Sequence, residues 1–206
     1  MPANDYIDSL PALEALFGPV SEVSSRKEVD YLHPVYQATI AAAPFVLLAT
    51  VGPGGLDVSP RGDPPGFVQV PDAHTLLLPE RRGNNRIDSL RNILADPRVS
   101  LYFLIPGVNE SLRVNGTARL STAPERLARF AMQGKLPKVV LEIAVTTVFF
   151  QCGRALIRSK LWEPLAPGAP RPVPSAGAIV EALTRGGVDG ATYDQELPAR
   201  QKATLY

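Results

Sequence analysis

Thr75-Leu76-Leu77-Leu78-Pro79-Glu80-Arg81-Arg82-Gly83-Asn84-Asn85-Arg86-Ile87-Asp88-Ser89-Leu90 carries the chain from one kind of structure into another. Thr75 to Leu78 is a short apolar run. It follows the turn residues Pro71-Asp72-Ala73-His74, and Gly66 to Val70 is a similar run before them. Two such runs joined by turn formers predict a β-hairpin. The period then changes. Ile87, Leu90, Ile93 and Leu94 recur on one helical face, and Asp96-Pro97 ends that helix. Between strand and helix lie Arg81, Arg82, Asn84, Asn85 and Arg86. A helix start offers unpaired N–H groups and partial positive charge, which suit a phosphate. Asn84 or Asn85 is a natural N-cap. Arg86 puts a cation in a first turn where the dipole alone disfavours one. An anion pocket accounts for this composition. A solvated turn with a polar cap accounts for it equally well.

Outward from this stretch the texture is short strands between Gly and Pro turns. Upstream, Phe45 to Val51 is rich in β-formers, Gly52-Pro53-Gly54-Gly55 turns the chain, and Leu56 to Ser59 resumes extended structure. Downstream, Val99 to Ile105, Ser111 to Leu120 and Leu141 to Phe150 read as strands, with Gly116 marking a bulge or close approach. Thr122-Ala123-Pro124-Glu125 has the form of a capping box and predicts a helix to about Met132. Ala155 to Trp162 reads as a short helix. At the N-terminal end, Leu10, Leu13, Leu16 and Phe17 have helical spacing, Gly18-Pro19 stops that element, and a second helix runs from about Pro34 to Ala42. About six short, mostly hairpin-linked strands with inserted helices predict a small antiparallel barrel with flanking helices, a mainly β fold. A doubly wound parallel sheet would need strict strand–helix alternation, which is missing. The common glycine-rich nucleotide loops are missing too.

The 206 residues suffice for one well-formed core, so the whole chain, 1–206, is expected to form a single domain. It divides into a helical segment (1–43), a barrel core (44–162), and a connector with a tail (163–206). The connector, Pro164 to Pro174, is too proline-rich for regular helix or central strand. Ser175 to Tyr206 reads as an appendage. A net charge of +1 gives no bulk case for nucleic acid or an anionic membrane. One cysteine, Cys152, and two histidines, His33 and His74, leave no usual zinc set. Met1 to Leu10 carries Asp5 and Asp8 where a signal peptide carries cations, and no apolar run approaches about 18 residues. A cytoplasmic location is expected.

Two further segments could carry chemistry. Ser59-Pro60-Arg61-Gly62-Asp63-Pro64-Pro65-Gly66 is stiff, and Arg61 could pair with Asp63 or reach a ligand. Taken alone, a tight loop with a surface ion pair is the better reading. Arg154, Arg158 and Trp162 follow one another at helical spacing. They make either an edge for a flat anionic ring or a basic face with Trp162 packed as core. Cys152 reads as a small buried hydrophobe more readily than as a nucleophile, and His74 as a solvent-facing loop residue.

Taken together, Ser59 to Asp63, Thr75 to Leu90, Asn92 to Val99, Leu112 to Gly116 and Ala155 to Ser159 resemble one family, over about Phe45 to Trp162. It is the FMN-dependent branch of the pyridoxamine-phosphate-oxidase-like superfamily. The resemblance implies a six-stranded antiparallel split β-barrel that forms a homodimer with FMN at its interface. It implies that Asn84, Asn85 and Arg86 hold the phosphate. Arg61, Asp63 and the backbone at Pro79 would lie beside the flavin, with Ser111 on the neighbouring strand and Arg158 and Trp162 from the other subunit. The implied function is an FMN-dependent oxidoreductase acting on a small molecule. Flavin storage without catalysis, and haem or deazaflavin binding, are alternatives on the same barrel. True pyridoxamine phosphate oxidases hold their substrate with a C-terminal arginine and histidine. Here no histidine follows His74, so the resemblance does not extend to the vitamin substrate.

Overall fold

The computed structural model describes residues 5–206. The expected helical segment 1–43 therefore starts outside the described residues. In chain order the elements are α1 (Leu10–Phe17), α2 (Glu22–Arg26), β1 (Glu28–Val29), α3 (Pro34–Ala42), β2 (Phe45–Gly52), β3 (Gly55–Gly62), β4 (Gln69–Asp72) and β5 (Thr75–Glu80). There follow α4 (Asp88–Ala95), β6 (Arg98–Leu104), β7 (Ser111–Ser121), α5 (Pro124–Ala128), β8 (Val139–Gln151), α6 (Arg154–Ser159), α7 (Ala176–Leu183) and α8 (Gly190–Ala203).

All strand pairs are antiparallel, in the order β3-β2-β6-β7-β8-β5-β4, with β1 added to β8. Eight strands are present among the described residues, where about six were expected. Part of the excess is β1, which is two residues long and pairs Glu28 and Val29 with Phe149 and Val148. A two-residue strand has no periodicity to read. Burial alternates along β2 and β6, so Val46, Leu48, Val99, Leu101 and Phe103 point into one core. Leu32, Ile40, Val114, Leu141 and Ile143 complete it. The bulge expected at Gly116 is present: Asn115 pairs with Thr147 but Gly116 with Val145.

Several boundaries move, each for a local reason. Gly66 adopts a left-handed turn (φ 88°), so β4 starts at Gln69 and not at Gly66. Asp72 faces Thr75, which shortens the hairpin turn to Ala73-His74, with Asp72 accepting the His74 amide. The capping box before α5 does not form. Ala123 is the N-cap, Ser121 Oγ accepts its amide, and the helix stops at Ala128. α6 ends at Ser159 because Lys160 is left-handed (φ 54°), so Trp162 lies beyond the helix that was to align it with Arg154 and Arg158. Leu94, expected on the buried face of α4, is exposed.

The connector has no helix or strand. The tail is more than an appendage: it folds into α7 and α8, which pack on each other where Gly177 approaches Gly190. No helix among the described residues is long and apolar enough to cross a membrane.

Candidate functional site

β3 and β4 end the hydrogen-bonded path, and the sheet is split between them. Side chains bridge that split. Arg61, near the end of β3, donates from Nε to Glu80 Oε2 at the end of β5 (3.0 Å). Asp63, just beyond β3, accepts from Arg81 Nε, just beyond β5 (2.6 Å). Arg61 and Asp63 thus pair across the split and not with each other. Arg61 and Asp63 are two apart, so in the extended direction of β3 they share one side, and Arg81, past the end of β5, turns to the same side as Glu80 to meet them.

A polar thread ties this bridge to α4. Arg61 Nη1 donates to Ser59 Oγ (2.9 Å) and to the Pro60 carbonyl. Ser59 Oγ and Ser89 Oγ lie 2.8 Å apart, and Ser89 donates to Asp57 (3.0 Å). Ser89, in the first turn of α4, is buried. The Asp63 carboxylate is 2% exposed, and Arg81 Nη1 is anchored on the Phe130 carbonyl (2.7 Å). A buried carboxylate needs such partners, because charge out of water is costly.

The loop from Arg81 to Ile87 leaves this bridge. Neither asparagine caps α4. Asn84 Oδ1 accepts the Arg86 amide (3.1 Å), an Asx-type turn, and the N-cap is Ile87. Asn85 (φ 61°) and Ile87 (φ 53°) are both left-handed and flank Arg86. For a β-branched residue this backbone is strained, by roughly 1–2 kcal/mol. Arg86 itself is exposed, and its Nε donates to Asp88 (2.7 Å), which raises the guanidinium pKa.

Two cavities open beside the loop. The larger, about 710 Å3, is walled by the 80–85 segment, Ile87, Leu90, residues 135–139 and Tyr206. Arg81, Arg82, Lys135 and Lys138 make it cationic, and Leu136, Pro137 and Val139 give it an apolar side. Its volume lies within the roughly 300–1,000 Å3 of small-molecule sites. The smaller, about 390 Å3, is lined by Pro60, Arg61, Asp63, Phe67, Pro79 and Tyr206 among others. Glu80 to Gly83 and Tyr206 wall both.

Of the residues singled out from sequence, Arg61, Asp63, Pro79, Asn84 and Asn85 gather around these cavities, and Arg86 stands beside them. Ser111, Arg158 and Trp162 line neither. Ser111 is buried and donates to Tyr102 Oη (2.6 Å), the Trp162 indole donates to the Val108 carbonyl (2.8 Å), and Arg158 is exposed on α6. Cys152 is exposed and not the buried hydrophobe expected. His33 Nδ1 accepts the Val35 amide at the start of α3, and His74 faces solvent as expected. No group of three potential metal ligands occurs among the described residues. Glu80, Lys135, Lys138 and Tyr206 were not singled out from sequence. The charge of Lys135 and Lys138 was a signal. Nothing local marked Tyr206, which lies 143 residues from Asp63.

The family model described as pyridoxamine 5'-phosphate oxidase matches residues 32–152. No curated protein matches the chain. Among solved structures, a HupZ variant of Group A Streptococcus is 19% identical, with 58% of this chain and 99% of that one covered and a TM-score of 0.49. An FMN-binding protein from Syntrophomonas wolfei is 13% identical (55% and 82% covered, TM-score 0.44). General Stress Protein 26 from Bacillus anthracis is 16% identical (55% and 89% covered, TM-score 0.39).

Proposed function

The chain belongs to the pyridoxamine 5'-phosphate oxidase family, and from that premise we propose that it is a cytoplasmic, homodimeric FMN-dependent oxidoreductase acting on a small molecule. The observation that carries this reading is the cation-lined cavity beside the strained 84–87 loop. FMN needs an anion site for its phosphate and an apolar slot for its ring, and this donor set offers both. Asn84, Asn85 and Arg86 hold the phosphate. Breaking the Arg86–Asp88 pair to do so costs little, since an exposed ion pair contributes at most about 1 kcal/mol. Arg61, Asp63 and the Pro79 backbone lie beside the ring. Arg158 and Trp162 complete the site from the partner subunit, which agrees with their lining neither cavity of their own chain, and Ser111 lies on the neighbouring strand, buried and bonded to Tyr102.

When bound, FMN supplies hydride or electron transfer, while the protein supplies position and field. Arg61 is held rigid by Glu80, Ser59 and the Pro60 carbonyl. Its fixed positive charge stabilises negative charge that develops on a neighbouring ring. Neither histidine lines either of the two cavities, and Nδ1 of His33 is already spent on a helix cap, which favours flavin over an axially ligated haem.

Fluorescence titration of FMN into Arg86→Ala tests the phosphate assignment. Loss of a charge-assisted contact weakens binding by about 1.5–3 kcal/mol. Unchanged affinity removes Arg86 from the site.

A further inference from the structure

Tyr206 reaches the cleft from the far end of the chain. Three residues after α8, its phenol donates to Asp63 Oδ1 (2.7 Å). The Arg81 guanidinium carbon lies 5.5 Å from the centre of its ring, and Arg81 Nε donates to the other oxygen of the same carboxylate. Lys135 Nζ donates to the Tyr206 backbone oxygen (2.8 Å). The ring is therefore held by a cation at its face, by a buried carboxylate at its edge, and with cavity on both sides. Such a seat selects a flat aromatic ring with a hydrogen-bond donor on its rim, because the cation attracts the π-face and the carboxylate accepts the donor. Nothing in it is peculiar to tyrosine.

The two sides of the contact differ in how they are fixed. Arg81 is clamped by Asp63 and by the Phe130 carbonyl. Asp63 is nearly sealed from water. Tyr206 hangs on a short segment after a helix end, next to an exposed Leu205. The seat is the rigid partner and the tyrosine the movable one.

We propose that Asp63 and Arg81 form a subsite for a planar aromatic or heteroaromatic ring bearing an O–H or N–H donor, and that Tyr206 is its internal occupant, displaced when a ligand ring binds. This deepens the flavin reading and rests on it in one respect: the incoming ring is either that of the flavin, whose pyrimidine N–H is a donor, or that of a second small molecule. Asp63 Oδ1 is taken by the tyrosine, so a ligand donor and Tyr206 compete for it. A tethered competitor weakens apparent affinity for a free ligand by its own occupancy.

The test is calorimetric titration of 4-methylphenol, the tyrosine side chain as a free molecule, into the full chain and its Tyr206→Ala and Tyr206→Phe variants. FMN is titrated separately into the same proteins. Tyr206→Ala is expected to bind 4-methylphenol at least about tenfold more tightly than the unaltered chain, with Tyr206→Phe between them. Adding Asp63→Asn to Tyr206→Ala is expected to abolish the gain. A parallel gain for FMN assigns the seat to the flavin ring, and unchanged FMN affinity assigns it to a second molecule. Equal 4-methylphenol binding by the unaltered chain and Tyr206→Ala overturns the proposal, whatever FMN does. Failure of every variant to bind FMN overturns the flavin reading and leaves the phenol result to stand on its own.

Discussion

Asp63 carries a charge that is almost out of water, and Arg81 and the Tyr206 phenol keep it satisfied. The donor pays in acidity: the hydrogen bond to Asp63, then burial, then the carboxylate's charge raise the Tyr206 pKa above its ordinary 10.0, against the opposing pull of Arg81. Arg81 and Asp63 face the phenol, and Lys135 faces the backbone of the same residue. A group whose folded pKa is raised contributes stability that is fully present below the unfolded pKa and is lost as pH rises through the folded one. The docked tail is thus expected to hold through neutral pH and to release at a pH above 10. A phenolate absorbance titration checks this. Two tyrosines should ionise later than an ordinary phenol, Tyr206 and the half-buried Tyr36, and Asp63→Asn should remove the lag of one of them. A tail that leaves below pH 10 contradicts the contact. Residue types near the cleft were legible in the sequence: Arg61, Asp63, Asn84 and Asn85 do gather there. Their pairings were not. Arg61 meets Glu80 through the sheet's curvature, and Tyr206 meets Asp63 across almost the whole chain. Neither contact leaves a local pattern.

At the scale of elements, period and punctuation decided what could be read. β2, β6, β7 and β8 alternate or run apolar between Gly and Pro turns, and all four lie where the sequence predicts them, within two residues at most ends. The start of α4 was misread because Asn84 satisfies a turn amide and not a helix amide, and because no propensity places Ile87 in a left-handed backbone. α7 and α8 escaped notice because their packing rests on two glycines, Gly177 and Gly190, that bring the helices together. Gly116 was legible and is decisive for β7. A Cβ there would stand 2.3 Å from the Ala144 carbonyl oxygen on β8. Gly116→Ala is therefore expected to destabilise the fold by about 1–3 kcal/mol, the usual cost of forced overpacking. Gly54→Ala, with open space around it, serves as the control. Chemical denaturation measures both, and equal midpoints would contradict the close approach.

For the whole molecule, the same features that place the site also leave surface to be covered. β3 is an edge strand with Leu56 and Val58 exposed, and α1 buries none of its residues while exposing Leu10, Leu16 and Phe17. Exposed strand edges and apolar patches are where chains associate. The proposed homodimer, which would bring Arg158 and Trp162 of one subunit to the Arg61–Glu80 cleft of the other, would bury such surface and complete the site together. Family and barrel were legible because each motif lay within a few residues of sequence. Assembly was implied by resemblance, since no single stripe marks it. The decisive measurement is native mass spectrometry of the purified protein. A dimer of 22.1 kDa chains carrying one FMN per chain is expected. A flavin-free chain that takes up no FMN when it is added would contradict it.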